Sequence, residues 1–313
     1  MKLNVIIPCY NEEGNVELLQ KKLAEALGET DYRLIFINDG SKDNTYKKLK
    51  EVYEKNPNSV QVINFSRNFG KDAAIFAGLE ATDADYSVII DGDLQQNPKY
   101  LLDMMDYLDN HEDIDIVAMV NKDRLKEGFI TKFFKWGFYT FMNMISDVKL
   151  AKGVSDFRMF RRNVVEAICS LPENNRFSKG IFSWIGFETH VMEYKVEARN
   201  AGKAYFNFSN QWKYAFRGII SFSVKPLRLA TILGFIFAFV AFIYMIFILV
   251  ETLINGSSVP GFPTLLTAIL FLGGVQLMAI GLLGEYMSRT YLETKKRPVY
   301  IAKSKLGFNE DLL

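Results

Sequence analysis

Two patterns divide the chain. Short apolar, β-branched runs at 4–7, 34–37, 60–65 and 86–90, with a fifth at 114–120, alternate with stretches whose apolar positions recur at helical spacing. That rhythm predicts an α/β fold around a doubly wound, mostly parallel sheet, because parallel neighbours need crossover helices between them. Beyond Lys225 the pattern changes: from Leu229 to Val250, and again from Phe262 to Leu283, no Asp, Glu, Lys or Arg occurs. At 1.5 Å per residue each run is long enough to cross a hydrocarbon layer of about 30 Å. A soluble core helix of that length shows a polar stripe, and neither run has one, so two transmembrane helices are predicted.

Charge gives the hairpin a direction. Lys213, Arg217, Lys225 and Arg228 precede the first run, Arg289, Lys295, Lys296 and Arg297 follow the second, and 251–261 carries no Lys or Arg. Basic residues stay on the cytoplasmic side, which predicts both termini in the cytoplasm and the loop at 255–258 outside. Met1 to Asn4 leads straight into a strand pattern, so no cleaved leader is expected. A net charge of +1 over 313 residues, 49% of them hydrophobic, gives no electrostatic footprint for nucleic acid. The two cysteines, Cys9 and Cys169, lack metal-like spacing and read as small apolar packing in a reducing compartment.

In doubly wound sheets ligands bind beyond the carboxyl ends of the strands. Here those ends are polar: Pro8-Cys9-Tyr10-Asn11-Glu12-Glu13, Asn38-Asp39-Gly40-Ser41, Ser66-Arg67-Asn68-Phe69-Gly70-Lys71 and Asp91-Gly92-Asp93-Leu94-Gln95. Each alone reads as a turn; four together predict one ligand-lined edge. Asp91 and Asp93, one residue apart, suit one hard cation, with Gln95 as a neutral oxygen beyond them. Mg²⁺ or Mn²⁺ takes such ligands and keeps part of its shell for phosphates; the alternative is a solvated turn. Asp39 is placed to accept hydrogen bonds from a base or ribose, and Lys71 either approaches a phosphate or lies on the surface.

The Pro8 to Glu13, Asn38 to Ser41 and Asp91 to Gln95 motifs resemble the signature of family 2 glycosyltransferases with the GT-A fold. Arg67 to Lys71, Ser155-Asp156-Phe157-Arg158, Asn175 to Gly180, Trp184 to Phe187 and Gly284 to Tyr286 through Pro298 are similar to bacterial polyprenyl-phosphate glycosyltransferases of the bactoprenol glucosyltransferase group, related to dolichyl-phosphate mannose synthases. The resemblance covers essentially the whole chain. It implies inverting transfer of one hexose from a UDP-sugar, UDP-glucose or UDP-N-acetylglucosamine, to undecaprenyl phosphate on the cytoplasmic leaflet. Donor binding would fall to Pro8, Tyr10, Asn11, Glu12, Asp39, Asn68, Gly70, Lys71, Asp91 and Gly92. The metal would sit on Asp91, Asp93 and Gln95. Implied partners are the bilayer, a second copy of the chain in a homo-oligomer, a separate flippase and a downstream glycosyltransferase of cell-envelope glycan. Asn38 stands where the family often has aspartate, and Asn121 where relatives often have arginine.

A lipid-phosphate acceptor simplifies the chemistry. A phosphate monoester, with a second pKa of about 6, is already largely dianionic at neutral pH and needs no strong base. It needs cations, and Arg124, Arg158, Lys179 and Arg199 are the candidates, Arg124 and Arg158 chiefly by family context. The catalytic set is then Asp93, Asp156, Arg124 and Arg158, with Asp156 orienting a substrate, acting as base, or capping the helix expected near Arg162. The resulting plan has a cytoplasmic GT-A domain over 1–206, with 129–145 as an aromatic interfacial helix or a buried core helix. An amphipathic juxtamembrane helix follows over 207–225, then the hairpin over 226–284 and a cytoplasmic tail over 285–313. A processive polysaccharide synthase would share the donor site but carry a Gln-x-x-Arg-Trp motif, which Gln211-Trp212-Lys213-Tyr214 does not supply. A membrane sensor that only binds a nucleotide sugar would have no use for a metal on the leaving group.

Overall fold

A computed structural model describes residues 1–122, 154–171, 173–174, 176–197, 223, 225–255 and 261–308. The expected helix at 129–145, the juxtamembrane stretch 207–222, Arg124 and Arg199 lie outside the described residues. The first part alternates as β1 (Leu3–Cys9), α1 (Val16–Leu27), β2 (Tyr32–Asn38), α2 (Thr45–Lys55), β3 (Val60–Phe65), α3 (Lys71–Glu80), β4 (Tyr86–Ile89), α4 (Tyr100–Asn110) and β5 (Ile116–Asn121). Then come β6 (Val154–Arg161), α5 (Arg162–Ser170), α6 (Ser178–Trp184), β7 (Thr189–Tyr194), α7 (Lys225–Asn255), α8 (Phe262–Thr294) and β8 (Ala302–Leu306).

All eight strands form one sheet in the order β7-β5-β6-β4-β1-β2-β3-β8. β1 pairs in parallel with β2 and β4, β2 with β3, and β5 with β7. β6 runs antiparallel to both β4 and β5. That reversal matters for chemistry, because it carries the start of β6 to the edge where the parallel strands end.

The apolar runs are continuous because both faces of the sheet are covered. Leu3, Val5, Ile7, Leu34, Phe36, Val60 and Val62 face α1, α2 and α4, while Ile6, Ile35, Ile37 and Ile63 face α3 and α5. Burying a side chain of this size stabilises the fold by about 1.5–3 kcal/mol. α1 turns Val16, Leu19, Leu23 and Leu27 inward and stops at Gly28, whose φ of 52° lets its N–H reach the Ala24 carbonyl. α3 lies close on the sheet through small residues: a Cβ on Gly78 would overlap an Ile6 methyl.

α7 and α8 are long and apolar enough to cross a membrane, with mean hydropathy of 2.2 over Leu227–Tyr244 and 1.2 over Phe271–Thr294. Neither stretch is buried inside the protein. α8 outlasts its expected apolar span by about three turns, and its last turn touches the first part of the chain where Glu293 accepts the Asn174 N–H at 3.0 Å. The region expected as a tail, 285–313, is thus largely structured. It completes α8 and then supplies β8, which pairs antiparallel with β3 at the sheet edge.

Candidate active site

At the carboxyl edge of the parallel strands lies an open cavity of about 700 Å³. Pro8, Cys9, Tyr10 and Glu12 enter it after β1, Asp39 after β2, and Asn68, Gly70 and Lys71 after β3. The turn after β4 adds Asp91, Gly92, Asp93, Gln95 and Gln96. Asn121 closes β5, Ser155 and Asp156 open β6, Lys179 comes from α6, and Tyr194 and Val196 lie at the end of β7.

The turns are locked to one another. Asn11 takes a positive φ of 56°, donates its N–H to Ser41 Oγ at 3.0 Å and accepts the Lys42 N–H at 2.9 Å. It ties the first turn to the second, beside the donor-set residues Tyr10 and Glu12 that line the cavity. Asp39, 3% exposed, accepts the N–H groups of Phe69 at 2.7 Å and Gly70 at 3.0 Å, so the second turn holds the third. Burial raises the Asp39 pKa against the pull of those two N–H groups. Gly40 packs so tightly on the third turn that a Cβ would overlap the Arg67 backbone, and its φ of 61° suits glycine.

Asp91 is fixed from behind by Gln96. The Gln96 amide donates to Asp91 Oδ2 at 3.0 Å while its oxygen accepts the Asp91 N–H at 2.9 Å. Gln95, the expected neutral oxygen, lines the cavity and donates its backbone N–H to Asp93 Oδ1 at 3.2 Å. The turn passes through Leu94, buried with a φ of 62°, which makes Gln96 the inward residue. Sequence alone missed this role, since the two adjacent glutamines are distinguished only by that backbone rotation.

One cation joins the two acidic sides of the cavity. Lys71 Nζ lies 2.6 Å from Asp91 Oδ1 and 2.8 Å from Asp156 Oδ2, and Lys179 Nζ is 4.0 Å from Asp156 Oδ1. Partial desolvation in the cavity opposes ionisation of Asp156 and of Lys71, whose side chain is still 44% exposed, but the pairing wins. The Lys71 pKa is raised by Asp91 and Asp156, and Asp156 is held down to about 2 by Lys71, Lys179 and Arg158. At neutral pH Asp156 is therefore a firmly ionised, weakly basic carboxylate.

Arg158, expected to meet an acceptor phosphate, is 5% exposed, donates through Nε to the Ser155 carbonyl at 3.1 Å and stacks over Phe182 at 5.2 Å. It lies one rung deeper on β6 than Asp156, on the same face, and does not line the cavity. Burial lowers its pKa to about 10, against the pull of Asp156. Its charge steadies Asp156 from behind.

The residues present fit a divalent cation. Asp91 already presents one oxygen to a cation, the Lys71 ammonium, and Asp93 lines the same space. A donor set of carboxylates without His or Cys matches Mg²⁺ or Mn²⁺ with part of the shell left to a diphosphate. Among the described residues no group of three or more His, Cys, Asp or Glu forms a fuller cage.

The family model for glycosyl transferase family 2 matches residues 4–169, and that for the GtrB C-terminal hairpin matches 225–290. The chain belongs to glycosyl transferase family 2, and is thus a sugar-transferring enzyme. It is 41% identical to the bactoprenol glucosyl transferase of Shigella phage SfX, covering 97% of this chain and 100% of that one. It is also 41% identical to a prophage bactoprenol glucosyl transferase homolog of Escherichia coli K12, covering 97% and 99%. In fold it resembles glucosyl-3-phosphoglycerate synthase from Mycobacterium tuberculosis, solved in complex with Mn²⁺, UDP and phosphoglyceric acid. The TM-score is 0.51 at 18% identity, covering 70% of this chain and 76% of that one.

Proposed function

We propose that this enzyme transfers a single glucose from UDP-glucose to undecaprenyl phosphate at the cytoplasmic face of the membrane, with inversion at the anomeric carbon. The observation that carries the reading is the meeting of Asp91, Asp93, Lys71 and Asp156 in one cavity, on a chain that also has two apolar helices of membrane-spanning length. The names of its full-length relatives, which specify glucose and bactoprenol, support the donor sugar and the acceptor.

In this reading the turns after β1, β2 and β3 hold the nucleoside, and Asp91 and Asp93 hold Mg²⁺ or Mn²⁺. The bound metal supplies charge neutralisation on the departing UDP. An oxygen of the acceptor phosphate forms the new bond to the anomeric carbon as the bond from that carbon to the β-phosphate oxygen breaks. A single displacement inverts the centre. The attacking phosphate is already ionised, so no proton is removed. Lys71 and Lys179 bring positive charge to the cavity, and Asp156 orients Lys71 or a sugar hydroxyl. Both termini lie in the cytoplasm, consistent with the lysine and arginine clusters flanking the hairpin.

Membranes containing the protein, incubated with radiolabelled UDP-sugars and undecaprenyl phosphate with and without EDTA, test the reading. Label is expected in the lipid phase with UDP-glucose, lost with EDTA and restored by Mg²⁺ or Mn²⁺. Label absent from lipid with every donor overturns it, and label found only in long polymer favours a processive synthase.

A further inference from the structure

The segment that leaves the hairpin ends inside the catalytic fold. Seven residues, 295–301, connect the end of α8 to β8. β8 pairs along β3 from Val62↔Leu306 to Phe65↔Ala302, and the Ser66 N–H donates to the Ile301 carbonyl at 2.9 Å. Tyr300 stacks on Phe65 at 4.9 Å and donates its hydroxyl to Glu80 at 2.7 Å. β3 leads directly into the turn that carries Asn68, Gly70 and Lys71, so β8 braces the strand that delivers one wall of the cavity.

A polar relay runs inward from this strand. Asn64 donates to Ser304 Oγ at 3.4 Å, Asn38 donates to Asn64 Oδ1 at 2.7 Å, and the Ser41 N–H donates to Asn38 Oδ1 at 3.3 Å. Tyr46 shares a hydrogen bond of 2.9 Å with the same Ser304 hydroxyl. The donors all point toward Ser304, which fixes both amide orientations. Asn38 and Asn64 are 2% and 7% exposed, where an unsatisfied amide is costly and a satisfied chain is stiff. The inner end of the chain is the Asn38 to Ser41 turn, and Asp39 in that turn holds the N–H groups of Phe69 and Gly70.

We propose that β8 is part of the nucleotide-donor site, with Ser304 as a positioning residue that fixes the Asp39 turn through Asn64 and Asn38. The role rests on the reading of that turn as the nucleoside-binding wall. It also ties the membrane exit of the hairpin to the donor wall through seven residues.

The test uses the full-length protein in detergent, with UDP as the probe for binding and UDP-glucose for turnover. Ser304→Ala is expected to weaken UDP binding and raise the donor KM by about fivefold, the equivalent of one net hydrogen bond, with kcat within about twofold. Ser304→Thr keeps the hydroxyl and is expected to restore both. Ser304→Val removes the hydroxyl with higher strand propensity and serves if the alanine variant does not accumulate. Wild-type binding of UDP with equal affinity in the Ala and Val variants overturns the inference alone, as does a fall in kcat at unchanged KM. Wild-type protein that does not bind UDP overturns the donor-site reading and the inference with it.

Discussion

Lys71 stands between Asp91 and Asp156, at 2.6 Å and 2.8 Å, and so joins the turn after β4 to the opening of β6. Sixty-five positions separate the two carboxylates in the chain, and only the antiparallel insertion of β6 brings them to one ammonium. Removing the ammonium leaves two acidic groups facing one cavity, with Lys179 still 4.0 Å from Asp156. Lys71→Met is expected to lower transfer by about 10²-fold, the scale for losing one preorganised electrostatic contact. A double-mutant cycle with Asp156→Asn, read by thermal unfolding, is expected to give a coupling of about 1–3 kcal/mol. Additive effects would show the pair to be inert.

The same ammonium takes Asp91 Oδ1 while Gln96 holds Oδ2, so a cation held by Asp91 would compete with Lys71. Lys71→Met is therefore also expected to bind Mn²⁺ more tightly than wild type when no nucleotide is present, by about fivefold or more, even as transfer falls. Electron paramagnetic resonance of free Mn²⁺ reads this directly, and unchanged or weaker binding would remove Lys71 as a competitor for Asp91. Asp93→Ala is expected to abolish transfer while the protein stays in the membrane, with no restoration by added Mn²⁺.

Gln96 gives a milder case. Gln96→Leu keeps the volume but withdraws the acceptor from the Asp91 N–H and the donor from Asp91 Oδ2. Two hydrogen bonds of about 1 kcal/mol each, one to an ionised group, predict a fall in kcat/KM of about tenfold or more. Gln95→Leu leaves the Asp91 contacts in place, and a larger effect there than at Gln96 would reverse the assignment.

Much of this site was legible in the sequence because parallel strands end on a common edge, and turn residues with carboxylates stand out against apolar runs. Asp39, Asp91, Asp93 and Lys71 stand out that way, and all four line the cavity. What escaped was set by tertiary context. β7, Thr189–Tyr194, alternates only weakly, and β8, Ala302–Leu306, carries two lysines on a sheet edge, so neither reads as a strand locally. The burial of Arg158 under Phe182 is not legible locally because it depends on where α6 packs. The positive φ of Asn11 is equally invisible locally, because an asparagine that ties two turns and one at a binding edge are the same letter in sequence.

Gly40 tests the locking of the turns. Its φ of 61° and the overlap that a Cβ would make with the Arg67 backbone predict that Gly40→Ala destabilises the fold by about 1–3 kcal/mol and displaces the third turn. The measurable result is a lower Tm together with weaker UDP binding. A variant with unchanged Tm would mean that the second and third turns move apart freely.

Acid stability offers a test of the Asp156 pairing. Its pKa in the fold is about 2, against about 3.9 for a free aspartate, because Lys71, Lys179 and Arg158 together outweigh burial. A lowered pKa means that the folded state binds fewer protons than the unfolded state between these two values. The resulting stabilisation, of order 2 kcal/mol, is fully present above about pH 4 and is lost as pH falls through about 2. Thermal unfolding of the purified protein across pH 2–5 is therefore expected to show a steeper loss of stability for wild type than for Asp156→Asn. The two curves converge at the acid end, where the wild-type carboxyl is protonated and neutral like the amide. Parallel curves across that range would place the Asp156 charge outside the energetics of the fold.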